Sequence, residues 1–107
     1  MTRRLVILES PYAGDVKANI DYARRALLDS LIRGEAPFAS HLLYTQPFVL
    51  DDANALERAT GIAAGHAWIA VAEASVVYED RGISLGMEAG IAAARLAGIP
   101  VEYRRIG

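Results

Sequence analysis

The sequence predicts an α/β fold with a parallel sheet, and three observations carry that expectation. Four short runs, Leu5–Leu8, Ala39–Leu43, Ser75–Tyr78 and Val101–Tyr103, are apolar on both faces, as strands buried between two layers are. Each gap between them is long enough for a helix. The chain has 107 residues, 53% of them hydrophobic, which suffices for one core and argues against global disorder. Strands alternating with helices join through right-handed crossovers. The expected architecture is therefore three-layered and Rossmann- or flavodoxin-like. It has a four-stranded parallel sheet in the order 2-1-3-4, with helices on both faces, in a single domain over residues 1–107. In such a sheet the ligand crevice lies beyond the C-terminal strand ends, where the order reverses between strands 1 and 3.

The first strand leads into Glu9-Ser10-Pro11-Tyr12-Ala13-Gly14-Asp15, whose small residues let backbone approach a phosphate or ribose. Ser10, Pro11 and Tyr12 are candidate ligand contacts there. The loop lacks the Lys-Ser/Thr pair of a P-loop and a complete Gly-x-Gly-x-x-Gly, so an ordinary turn with a helix cap explains it equally well. Asp15 suits the N-cap of a helix over Val16 to Arg33, with Ile20, Ala23, Leu27 and Leu31 at helical spacing. Gly34 suits its C′ position.

The second strand brings Ser40, His41 and Tyr44 toward the same end of the sheet. In strand geometry Ser40, Leu42 and Tyr44 share one face, and His41 and Leu43 the other. Tyr44 or Gln46 can stack on or hydrogen-bond a base, whereas a lone His on an apolar strand is more often structural than catalytic. Pro47-Phe48-Val49-Leu50 falls in a long loop over that edge, suited to a lid or a partner contact. A second helix is expected within Ala53 to Ala72, where Leu56, Ala59, Ala63 and Ala67 repeat helically. Gly61 and Gly65 lie on one side of it, and bare backbone at that spacing admits close packing by a second subunit or by the chain's own sheet. The third helix runs from about Leu85 to Ala97 and stops at Gly98, before Ile99-Pro100.

Composition narrows the function. Eleven Lys and Arg against thirteen Asp and Glu give a net charge of −2, with both signs spread along the chain. No basic stripe points to nucleic acid, and no cationic amphipathic run or long apolar stretch points to a membrane. The absence of cysteine removes disulfides, thiolate catalysis and zinc–sulfur sites. His41 and His66 have no ligand spacing, so neither a metal nor another cofactor is expected. The apolar run before Glu9 is too short for a signal peptide, which makes the expected location cytoplasmic.

The densest chemistry follows the third strand. Tyr78, Glu79, Asp80 and Arg81 leave it, and Ser84 suits the N-cap of the next helix. Glu88 falls near the first turn, where the helix dipole favours an ionised carboxylate. Such a group can attack an anomeric carbon or serve only as a helix-start charge. By residue type alone the structural role is the commoner one.

Three segments together resemble the nucleoside 2-deoxyribosyltransferase-like superfamily over nearly the whole chain. They are the opening strand with Ser10-Pro11-Tyr12, the Pro37-Phe38-Ala39-Ser40-His41-Leu42 segment, and the block from Val76 through Gly86-Met87 to Gly98-Ile99-Pro100-Val101. Small phage and actinobacterial domains of this type are similar through a Tyr-x-Asp-x-Gly-Ile-Ser-x-Gly-Met signature, here Tyr78 to Met87. The Ser84-Leu85-Gly86 run is also similar to that of deoxynucleoside-monophosphate N-glycosidases. The resemblance implies a nucleoside or nucleotide ligand, cleavage or transfer of the base–deoxyribose bond through a carboxylate, and a homodimer or higher oligomer. It places the protein in a bacterial cell or phage-infected host. Binding falls to Ser10, Pro11, Tyr12, His41, Tyr44, Tyr78, Arg81, Ser84, Gly86 and Met87, and catalysis to Glu88, with Asp80 orienting substrate. Registered on Gly86-Met87 and Gly98-Ile99-Pro100, the superfamily's nucleophilic Glu falls at Gly90. Glu88 comes two residues earlier, roughly 200° away around a helix.

Two functions fit these residues. One is an N-glycosidase or deoxyribosyltransferase with Glu88 as nucleophile or base. The other is a catalytically inactive protein that binds or sequesters a nucleotide, favoured by Gly90, which enlarges the pocket where chemistry would occur. Release of free base separates them.

Overall fold

A computed structural model describes residues 2–107. The elements run β1 (Arg4–Glu9), α1 (Val16–Ile32), β2 (Glu35–Phe38), α2 (Ser40–Leu43), α3 (Ala55–Ala67), a 3₁₀ turn (Trp68–Val71), β3 (Ala74–Tyr78), α4 (Leu85–Leu96) and β4 (Val101–Arg104). All strand pairs are parallel and the order is β2-β1-β3-β4, as expected. Val6 stands opposite Ala74 and Leu8 opposite Val76, which brings the C-terminal ends of β1 and β3 together.

Alternation along the strands sorts side chains into two cores. Val6 and Leu8 of β1 and Val76 and Tyr78 of β3 pack with Tyr22 and Ala26 of α1. On the opposite face, Val77 packs with Met87 and Ile91 of α4. All five residues of β3 are buried, which is why that strand reads as apolar on both faces. Glu9 belongs to the face that α4 covers, against Gly90.

Helix ends follow the residues expected of them. Asp15 accepts from the Ala18 N–H at 3.2 Å to start α1, and Gly34 follows it with φ 88°, a conformation that costs glycine least. Asn54 accepts from the N–H groups of Leu56 and Glu57 to start α3. Ser84 caps α4 by accepting from the Met87 N–H at 3.2 Å. Ser84→Ala is expected to destabilise the protein by about 1 kcal/mol, read from the shift in its denaturant midpoint.

One expected strand is corrected. Ala39–Leu43 does not continue the sheet: β2 lies earlier, at Glu35–Phe38, and Ser40–Leu43 is a short helix with Ala39 at its N-cap. A short apolar run without β-branched residues has no period that separates strand from helix. The position of β2 is set instead by Glu35, which is held by Ser30, Arg4 and Arg104 as soon as the chain leaves Gly34. The alternating faces expected for Ser40 to Tyr44 therefore do not exist. His41 sits in a first helical turn and points toward β1 instead.

The small-residue side of α3 is closed by the chain itself. A Cβ added at Gly65 would stand 2.5 Å from Ser40 Oγ, and one at Gly61 would stand 3.3 Å from Leu50 Cδ1. In the loop that holds Leu50, Phe48 is fully exposed. Among the described residues no helix is long and apolar enough to cross a membrane.

Candidate functional site

The end of β1, the loop after it, α2, α3 and the start of α4 enclose a cavity of about 390 Å³. That is the size of a small-molecule site, and it lies where the strand order reverses between β1 and β3. Its position follows from topology. The chain leaves β1 for α1 on one face of the sheet and β3 for α4 on the other, so neither helix fills the gap between these strand ends.

Six of the expected binding residues, Ser10, Tyr12, His41, Ser84, Gly86 and Met87, line it. Ser10 Oγ and His41 Nε2 share a hydrogen bond of 2.6 Å. Burial pushes the His41 imidazole down to about 4, so near neutral pH the ring is uncharged. The first N–H groups of α4, at Leu85 and Gly86, have no intrahelical acceptor and stand at residues that line the cavity. Ile7, Ile62 and Ile69 supply an apolar wall, and Arg58 and Asp52 place one charge of each sign at the side formed by α3 and the segment before it.

The other expected residues stand elsewhere. Tyr44 lines a recess of about 70 Å³ that shares Ser40, His41, Asp52, Arg58 and Ile62 with the main cavity, and its hydroxyl accepts from Trp68 Nε1 at 3.0 Å. Pro11 is buried away from the lining. Tyr78 is wholly buried and donates to Asp29 Oδ2 at 2.6 Å, and burial pushes its hydroxyl up to about 12. Arg81 donates from Nε to Asn19 Oδ1 at 2.9 Å.

Neither expected catalytic carboxylate lines the cavity. Asp80 accepts from the Tyr22 hydroxyl at 2.5 Å and from the N–H groups of Ile106 and Gly107. The Tyr22 bond above all holds it down to about 2. Its ties are those of a clamp between α1 and the segment after β4. Glu88 lies on the exposed side of α4.

A carboxylate that sequence reasoning did not single out lies inside. Glu9 ends β1 and lines the cavity, with no hydrogen bond or ion pair to its side chain among the described residues. Burial alone pushes its carboxyl up to about 8. Its carboxylate occupies the space where a side chain at position 90 would be: a Cβ built on Gly90 would come 2.7 Å from Glu9 Cδ and closer still to Oε2. Two signals in the sequence pointed this way, a charged residue closing an apolar strand and a glycine inside a helix. Neither says that they meet.

The family described as "Domain of unknown function (DUF7768)" matches residues 4–104. No curated protein matches the chain in sequence. Among solved structures the chain is similar to a 2-deoxyribosyltransferase from the psychrotolerant bacterium Bacillus psychrosaccharolyticus. The two share 17% identity at a TM-score of 0.65, over 94% of this chain and 72% of that one. The likeness is one of fold, and it agrees with the three-layer architecture expected from the sequence.

Proposed function

The chain belongs to the family described as a domain of unknown function (DUF7768), and on that premise we propose that its cavity binds a nucleoside or nucleotide and that the protein cleaves or transfers the base–sugar bond. One observation carries this: a cavity of nucleoside size at the β1/β3 switch point brings a half-buried carboxyl, a Ser–His pair and the first free N–H groups of α4 to the same space. The N–H groups of Leu85 and Gly86 suit sugar hydroxyls or a 5′-phosphate, with Arg58 able to neutralise phosphate charge. Tyr12 and the isoleucine wall suit the flat, half-polar face of a base. The fold shared with a 2-deoxyribosyltransferase supports the same ligand class. Ser10, Tyr12, His41, Ser84, Gly86 and Met87 hold ligand in this account, while Asp80 and Glu88 stay outside the lining.

The test is a panel of ribo- and deoxyribonucleosides and their 5′-monophosphates, followed by chromatography for free base and by thermal melting. Release of base from at least one member, with a raised melting temperature at saturating ligand, is expected. A panel that yields neither base nor stabilisation sinks the proposal. Stabilisation without base release selects the binding-only function, which Gly90 at the superfamily's nucleophile position favours.

A further inference from the structure

We propose that Glu9 is the catalytic acid of this cavity, and that position 90 is glycine because the Glu9 carboxyl occupies its side-chain space. The assignment rests on the base–sugar chemistry proposed above. Glu9 is the last residue of β1 and lies on the face that α4 covers. No Cβ at position 90 stands between it and the helix, so the carboxyl lies back against α4 while lining the cavity. The titratable and charged groups around the same space are Tyr12 after β1, His41 on α2, Asp52 before α3, and Arg58 and His66 on α3. The lining residues of α4 contribute none. No cation pairs with Glu9 among the described residues, and its proton is retained to about pH 8.

A neutral carboxyl with no cation paired to it suits the scission of an N-glycosidic bond. As the C1′–N bond breaks, its electron pair passes to the base, and the base nitrogen takes the proton from Glu9. The sugar is left as an oxocarbenium ion beside a newly formed carboxylate, which stabilises it at close range. Water then adds to C1′, and its surplus proton returns to Glu9. Free base and free sugar leave, and the carboxyl ends as it began. A group that carries its proton near neutrality is poised for this cycle.

The experiment uses the intact protein, with the four 2′-deoxynucleosides and their 5′-monophosphates as probes. Glu9→Gln keeps the shape but has no acidic proton, and its kcat/KM for base release is expected to fall about 10²- to 10⁴-fold. Gly90→Ala is the second variant. It pushes the flexible carboxylate aside and favours the helix, so base release is expected to fall while the melting temperature holds or rises. In the wild type, activity is expected to decline as pH rises past about 8, and carboxyl infrared or ¹³C NMR titration should show a Glu signal near there that Glu9→Gln lacks. Wild-type base release with Glu9→Gln within twofold of it overturns the Glu9 assignment alone, as does a Glu9 signal titrating near 4.5. Absence of base release from wild type on every probe instead overturns the base–sugar chemistry, and the assignment with it.

Discussion

Replacing Arg104 with alanine is expected to destabilise the protein by about 3–5 kcal/mol, measured as the loss of unfolding free energy in denaturant. Its guanidinium forks onto Glu35, with Nη1 to Oε1 and Nη2 to Oε2 both at 2.6 Å, and each side chain is only 8% exposed. Glu35 also accepts from Ser30 at 2.8 Å and from Arg4 at 2.9 Å. These bonds join β2 to β4, the two outer strands, which share no backbone ladder. Without Arg104, a desolvated carboxylate keeps the Ser30 hydroxyl and a single, half-exposed cation, Arg4. The doubly substituted Glu35→Gln, Arg104→Met protein should recover much of the loss, because a buried pair contributes far less than the penalty for breaking it. A single variant that loses less than about 1 kcal/mol contradicts this account.

The same pair sets an acid limit. Arg104 above all holds the Glu35 carboxyl down to about 2, below its ordinary 4.5. A depressed carboxyl stabilises the fold above its unfolded value, and that contribution is lost as pH falls from 4.5 toward 2.

Glu9 acts with the opposite sign, and its effect is the second large one. Its folded value of about 8 lies above the ordinary 4.5, so between those limits the folded state holds a proton that the unfolded chain has released. Stability is then complete below 4.5 and falls as pH rises toward 8. At about 1.4 kcal/mol per pH unit, the upper bound on the loss is about 5 kcal/mol. Unfolding free energies for wild type and Glu9→Gln across pH 5 to 9 are expected to diverge, with the variant the more stable at the alkaline end. Parallel curves contradict the desolvated, unpaired carboxyl. A protein that gains stability and loses base release through one substitution has retained a costly group for its chemistry.

Much of the site was legible because it follows strand ends. Ser10 and Tyr12 come directly after β1, and Ser84, Gly86 and Met87 open α4, so topology alone carries them to the β1/β3 crevice. His41 reached the cavity for a different reason than its strand assignment supplied, since a helical turn aims it at Ser10. Tyr78, Asp80 and Arg81 show the opposite case. They end or follow the correct strand, yet their side chains turn to Asp29, Tyr22 and Asn19, all on α1, and their polar character went into joining layers.

By itself the sequence determined the layers, the strand order and the end of the sheet where a ligand would lie. Those follow from periodicity, capping residues and the handedness of crossovers, all of which act over neighbouring residues. The tertiary structure alone decided which carboxyl enters the cavity. Strand alternation turns Glu9 toward α4, and helix rotation turns Glu88 to solvent and Gly90 to Glu9. That meeting depends on two distant segments packing at van der Waals distance, and no local pattern encodes it. The carboxyl is present in the site, supplied by a strand to a helix that has none to offer there.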